Sequence, residues 1–311
     1  MTDEKIASIG SRPPAARAPV AAWLRTGMDR LTARERKVAH LLLSNYPMAG
    51  LETVAEFARR SAVSAPTVLR FVNKLGFAGY PEFQRQIRAE LDERLQSPLG
   101  KAAHPGQTAA EHQTSGGPQS ETEKQSLLQR FGHAAQANIS ETLATMPIVE
   151  FNAVARLFAA TDKTISIAGG RFTDPIARYI TVHLKVVRPN VVHLAGQIDN
   201  WRDHLLDMGR RDVLVVADIR RYQDDVVDFA RAARAQDVTV VLLTDQWLSP
   251  AARHAHHIIA ARTPVPSNWD SCAALMVVAE ALIASATERC WTIARGRIER
   301  LETMRDGDKG G

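Results

Sequence analysis

The stretch from Thr53 to Tyr80, TVAEFARRSAVSAPTVLRFVNKLGFAGY, constrains this chain most, because it reads as two short helices joined by a tight turn. Val54, Ala55, Phe57 and Ala58 recur at helical spacing behind Thr53, an N-cap with Glu56 three residues on to complete a capping box. Arg59, Arg60 and Ser61 end that helix, and Ala62 and Val63 turn the chain. Ser64 then caps a second helix with Pro66 in its first turn. Val68, Leu69, Val72 and Leu75 are its apolar positions, and Gly76 stops it. Ser64, Ala65, Thr67, Arg70, Asn73 and Lys74 remain along its other sides.

Two helices with such a turn form the DNA-binding helix-turn-helix, whose second helix enters the major groove. Small Ser64, Ala65 and Thr67 allow close approach, Arg70 can fork onto guanine or phosphate, Asn73 can pair with adenine, and Lys74 can neutralise phosphate. The alternative is an ordinary helical hairpin with a solvated face. Charge favours the first reading: residues 1–99 hold 15 Lys and Arg against 10 Asp and Glu, and the rest hold 24 against 24, so the net +5 sits on this end.

The run from Leu31 to Leu95 resembles the N-terminal domain of bacterial RpiR/MurR-type transcriptional regulators. The resemblance is most specific at VSAPTVLRFVNKLGFAGYPEF, where the pattern VS-x-x-T-x-x-RF-x-x-KLGF-x-G-[FY]-x-EF is complete. It implies sequence-specific binding to a double-stranded DNA operator.

A chain of 311 residues predicts more than one domain. Residues 1–22, rich in Ala, Pro, Arg and Ser, read as a disordered tail, and 23–96 as the helix-turn-helix domain, with a support helix over LTARERKVAHLLLSNY (Thr32 and Glu35 its capping box) and a fourth helix after Gly79. Residues 97–124 are short of large apolar side chains and read as a flexible linker. Residues 125–300 form the second domain, and 301–311 a tail. Cys272 and Cys290 lie in apolar surroundings, which suits free thiols in a reducing compartment. With no apolar run of 18 residues and no apolar segment near the N-terminus, the expectation is a cytoplasmic protein that does not touch the membrane.

The second domain opens with an amphipathic helix over SLLQRFGHAAQANISETLATM, carrying Leu127, Leu128, Phe131, Ala135, Ile139 and Leu143, which leads into the domain or is swapped across it. Strands follow at 164–169, 191–194, 212–218, 238–245 and 257–261, separated by helices at about 173–187, 199–208, 223–235 and 249–254, with a long helix at about 270–295. Near-continuous Val, Ile and Leu strands between helices predict an α/β doubly wound parallel sheet. The fold class is thus an all-α helix-turn-helix domain followed by an α/β domain.

In such sheets ligands sit beyond the carboxyl ends of the strands, at the switch in strand order. Three segments fall there. Gly169, Gly170, Arg171, Phe172 and Thr173 follow a strand and open a helix, where backbone N–H groups can hold an anion. Arg220, Arg221 and Tyr222 follow the third strand, and Trp269 and Ser271 precede the long helix. The arginines can fork onto a carboxylate or phosphate while Tyr222 and Trp269 stack on an organic ligand. Equally, Arg220 and Arg221 can pair with Asp218, Asp224 or Asp225 and only stabilise the loop. His254, His256 and His257 straddle a strand entry and point to no metal, and Glu280 and Glu288 read as solvated or paired carboxylates, not catalytic ones. No cofactor is expected.

This half resembles a sugar isomerase (SIS) domain over Phe151 to Ala286, and the two-domain order is that of the RpiR-type regulators. Family members that bind phosphosugars usually show Gly-x-Gly-x-Ser after the first strand and Ser-x-Ser-Gly-x-Thr after the third. Here Arg171 and Thr173 depart from the first, and Asp218 to Gln223 replace the second. The resemblance implies a transcriptional regulator, not an enzyme, whose SIS-like domain forms a homodimer or homotetramer and senses a small anionic effector, a phosphosugar or another carbohydrate-derived compound. The rivals are a sugar-phosphate isomerase carrying a DNA-binding domain, and an SIS-like domain that only oligomerises.

Overall fold

The computed structural model describes residues 19–95, 126–196 and 198–307, and the chain divides into two compact units, residues 1–116 and 117–311. The expected tail as far as residue 18, the linker at 97–124 and residues 308–311 lie outside the described residues.

The described part of the first unit is helical: α1 (Val20–Gly27), α2 (Ala33–Ser44), α3 (Val54–Arg60), α4 (Ala65–Lys74) and α5 (Tyr80–Leu95). Helix α2 has its capping box in full, with Thr32 N–H donating to Glu35 Oε2 (2.8 Å) and Glu35 N–H to Thr32 Oγ1 (3.4 Å). At α3 the box is one-sided. Glu56 N–H donates to Thr53 Oγ1, but the Glu56 carboxylate turns to Arg59, three residues on, which offers it a charge.

Val38 and Leu42 of α2, Phe57 of α3, Phe71 of α4 and Phe83 and Ile87 of α5 are all fully buried in one core, each contributing about 1.5–3 kcal/mol of transfer free energy. Phe71, not Leu69, completes the buried stripe of α4: Leu69 is 41% exposed. Gly76 takes φ 86°, the left-handed conformation that ends α4. Helix α1 extends the unit back to Val20, which lies inside the expected tail; Val20 and Leu24 are buried, and Val20 N–H donates to Glu90 Oε1 at 3.1 Å.

The second unit begins with α6 (Leu127–Thr145) and α7 (Ile148–Ala159). The sheet then alternates with helices: β1 (Ile165–Gly169), α8 (Asp174–Val187), β2 (Val191–His193), α9 (Ile198–His204), β3 (Val213–Asp218), α10 (Asp224–Ala235), β4 (Thr239–Asp245) and β5 (His257–Ala261). All five strands run parallel in the order β2-β1-β3-β4-β5. Side chains alternate between faces. Val213, Val215 and Ala217 of β3 join the core under α7 and α8, and Leu214 and Val216 join the core under α10.

Two expected helices differ. Residues 250–253 make a single 3-10 turn opened by Pro250, with Ser249 capping Ala251 N–H. The long final helix is two, α11 (Ala273–Arg289) and α12 (Trp291–Gly307), because Cys290 leaves the helical conformation at φ −114°, ψ 29°. Helix α12 therefore occupies much of the expected C-terminal tail.

Candidate functional site: a helix-turn-helix face and an arginine-rimmed crevice

In the first unit the core decides which side of α4 looks outward. With Val68, Phe71, Val72 and Leu75 buried, Ser64, Arg70 and Asn73 are exposed and Ala65 is half-buried. Two expected contacts are placed differently. Thr67 is buried, its Oγ1 3.0 Å from Ser64 Oγ and within 3.5 Å of Arg70 Nη2, so it orders the helix entry and the Arg70 side chain. Lys74 donates to Arg30 O (2.8 Å) and Glu35 Oε2 (3.0 Å), which ties α4 to the start of α2. Burial works to raise the Glu35 carboxyl, yet the Thr32 N–H and the Lys74 ammonium together bring it below its ordinary value.

Beside the start of α4 lies an open concavity of about 520 Å³ lined by Arg34, Lys37, Arg59, Ala62 and Ser64. Arg34 and Lys37 project from successive turns of α2. Their three-residue spacing, which puts both on one side of the helix, was the available sequence signal.

In the second unit the chain leaves β1 toward β2 on one side and reaches β3 on the other, so the carboxyl ends of β1 and β3 flank the switch point. A pocket of about 220 Å³ opens there, lined by Gly170, Arg171, Phe172, Thr173, Asp218, Ile219, Arg221 and Gln223. Gly169 cannot carry a side chain, since a Cβ would stand 2.5 Å from Asp174 N. That close approach lets the β1 loop turn straight into α8.

Four backbone N–H groups of this loop and the helix start it opens are engaged internally. Gly170 N–H donates to Ala217 O, Thr173 and Asp174 N–H donate to Gly170 O, and Arg171 N–H donates to Gln223 Oε1 at 2.5 Å. Thr173 is itself buried, its hydroxyl donating to Ala217 O. Most of the expected donors are thus engaged within the loop itself, and Arg171 and Arg221 bring positive charge to the pocket.

The two neighbouring arginines after β3 separate. Arg220 is 6% exposed; its guanidinium holds Asp270 in a fork at 2.8 and 2.6 Å and lies 4.8 Å from the Trp247 ring. Of the two expected roles, ligand contact or pairing within the loop, the guanidinium is engaged in pairing, with Asp270 as a partner. Arg221 adopts φ 70°, which turns it outward into the pocket, 5.6 Å from the exposed Trp269 ring. Arg171 lies 5.4 Å from the Phe172 ring, and Phe172 and Trp269 are 5.6 Å apart, so the rim runs cation, ring, ring, cation. Tyr222 turns away and donates to Asp245 Oδ1 at 2.7 Å, and Ser271 Oγ accepts from Ala273 N at the entry of α11.

Beneath the pocket Asp218 Oδ2 accepts from Ser249 Oγ and Oδ1 from Gln223 N–H, while Asp245 accepts from Arg220 N–H, Tyr222 and Trp247 N–H. Burial pushes the Asp218 carboxyl up to about 7 and that of Asp245 up to about 6, against those hydrogen bonds. Elsewhere, His256 accepts from Val240 N–H, His257 pairs with Glu150, and Glu280 accepts from Tyr179.

A parallel sheet with its crevice at the β1/β3 switch, joined to a unit that presents a turn-linked helix pair, defines a two-part protein of helix-turn-helix and SIS domains. Residues 20–94 match the model of the helix-turn-helix domain, rpiR family, and residues 160–285 the SIS domain. The chain thus carries an rpiR-family helix-turn-helix domain followed by an SIS domain, the two-domain order of the RpiR-type regulators.

Among its relatives are the HTH-type transcriptional regulator HexR of Pseudomonas aeruginosa, 40% identical over 68 residues (22% of this chain, 24% of that protein), and the Bifunctional protein glk of Burkholderia thailandensis, 32% identical over 105 residues (33% and 16%). The chain thus spans a quarter or less of these relatives. Two solved structures share the fold. The sugar isomerase domain of the RpiR transcription factor from Sphaerobacter thermophilus has a TM-score of 0.54 at 22% identity over 58% of this chain and 99% of that one. The Vibrio vulnificus NanR protein complexed with ManNAc-6P has a TM-score of 0.52 at 15% identity over 94% and 99%.

Proposed function

We propose that this protein is a cytoplasmic, sequence-specific DNA-binding regulator whose SIS domain oligomerises and senses a small anionic carbohydrate derivative, a sugar phosphate or a sugar acid, without turning it over. The observation that carries the reading is the rim of the β1/β3 crevice. Arg171 and Arg221 supply two permanent charges for a phosphate or carboxylate, and Trp269 and Phe172 offer aromatic faces to a sugar ring. The NanR structure, with ManNAc-6P bound, supports the same ligand class.

The DNA half rests on Arg70 and Asn73 facing outward from α4 beside the basic concavity of Arg34, Lys37 and Arg59. Ligand binding then biases the geometry of paired reading heads on a two-fold operator. Oligomerisation is supported by one apolar stripe on α6. It is covered around Asn138 and Thr142 but continues uncovered through Phe131, Leu128 and Leu127.

The test is operator binding at fixed salt, using DNA flanking the protein's own gene, with and without a panel of sugar phosphates and sugar acids. A shift in affinity with one compound is expected. Tight binding indifferent to the whole panel would favour a domain that only oligomerises, and aldose-ketose turnover of a panel member would favour an isomerase.

A further inference from the structure

Gln223 stands between the two halves of the crevice and does what a ligand would do. Its side-chain carbonyl accepts the Arg171 N–H at 2.5 Å. It also presses against Gly170 so closely that a Cβ there would be 2.4 Å from Oε1. The glycine is therefore what makes room for the amide. The backbone of Gln223 is anchored independently: its carbonyl accepts from Val226 and Val227 N–H at the start of α10, and its N–H donates to Asp218 Oδ1. The side chain can leave its seat while the helix stays in place.

Resting on the effector reading above, we infer that Gln223 is an internal plug and the specificity-determining residue of the crevice: it occupies the Arg171 N–H until an anionic oxygen of the ligand replaces it. The selectivity follows from relative strength. A neutral hydroxyl offers the Arg171 N–H nothing better than the amide carbonyl already there. A phosphate or carboxylate oxygen makes a charge-assisted bond about twice as strong and gains the guanidinium groups of Arg171 and Arg221, which line the same pocket. A neutral sugar therefore fails to displace Gln223, and its phosphate ester succeeds. The plug converts a shallow crevice into a filter for charge.

The experiment is calorimetric titration of the full chain with inorganic phosphate, a set of hexose 6-phosphates and glucose, alongside Gln223→Ala and Gln223→Glu. Removing the competitor in Gln223→Ala deletes one neutral hydrogen bond from the unliganded state, so phosphate or ester binding should tighten about five-fold. Gln223→Glu installs a charged plug of the same length and should weaken it at least about ten-fold. This second variant also keeps the test alive should the truncated one fold poorly, which a melting curve reveals. An ester that binds the wild type and binds Gln223→Ala equally or more weakly overturns the plug and makes Gln223 an ordinary contact. So does unchanged binding by Gln223→Glu. Absence of any binding by both wild type and Gln223→Ala instead sinks the effector reading, and the plug with it.

Discussion

The guanidinium of Arg220 and the carboxylate of Asp270 form a buried two-pronged pair, at 2.8 and 2.6 Å, that joins the loop after β3 to the loop before α11. The side chains are 5% and 13% exposed. Removing one partner strands the other without compensation, which costs about 3–5 kcal/mol for a buried pair. Asp270→Ala should therefore lower the denaturant midpoint of the SIS domain substantially, and Arg220→Ala likewise. Arg221→Ala, on the pocket rim, should leave the domain's stability within about 0.5 kcal/mol of wild type while weakening effector binding. Equal stability losses at Arg220 and Arg221 would contradict this division.

The buried carboxylates make stability depend on pH with a definite sign. Burial raises Asp218 to about 7, above its ordinary 3.8. The folded state then holds a proton that the unfolded chain has released, and stability is full below the unfolded value and is lost as pH rises through about 7. Asp245, raised to about 6, adds in the same direction. The melting temperature of the second unit should fall between pH 5 and pH 8, and Asp218→Asn should flatten part of that fall. A melting temperature that does not fall over this interval would contradict a proton held by these two groups in the fold. Because Asp218 also lines the pocket, Asn there should strengthen anion binding at pH 8 by removing a like charge.

The sheet was legible in the sequence because strands buried on both faces must be apolar at every position, as in Val213 to Ala217. The loops at its carboxyl edge followed from that reading. What separates Arg220 from Arg221 was not legible: the two are chemically identical neighbours. Their divergence depends on a left-handed backbone at Arg221 and on Asp270, fifty residues away in sequence. Gln223 had no motif to mark it, and its importance lies in a contact with Arg171 across the pocket. In the first unit Phe71 was legible: Val68, Phe71, Val72 and Leu75 follow the i, i+3, i+4, i+7 spacing of one helix face, and Leu69 falls outside it. Helix α1 was obscured by the Ala, Pro and Arg-rich run before it.

On the DNA side, phosphate contacts and base contacts should separate by their response to salt. Arg34 and Lys37 line the concavity beside α4 and stand on α2, not on the second helix of the pair. Lys37→Ala and Arg34→Ala should each weaken specific and non-specific duplexes alike and reduce the salt slope by about one. Arg70→Ala should cost about 1–3 kcal/mol on the operator and little on unrelated DNA. Competition binding at several salt concentrations distinguishes them. A uniform loss for Arg70→Ala would move it from base reading to the backbone.

The apolar stripe of α6 gives the last prediction. Leu128, Phe131, Ala135 and Ile139 recur at three- and four-residue spacing, and the face passes from the buried, hydrogen-bonded Asn138 and Thr142 to exposed apolar side chains at Phe131 and Leu128 (81% exposed). A second copy offering the same stripe would complete the face under two-fold symmetry, burying leucine and phenylalanine side chains at about 25 cal/mol per Å². Leu128→Glu places a charge in that contact at a side chain that is 81% exposed within the subunit. Sedimentation equilibrium should show the wild-type chain as a dimer or larger and the variant shifted toward monomer by at least about ten-fold in dissociation constant, because an unpaired charge in an apolar contact is costly. The melting temperature of the second unit, measured at high dilution, should barely change. A variant that keeps the wild-type mass would place the subunit contact elsewhere.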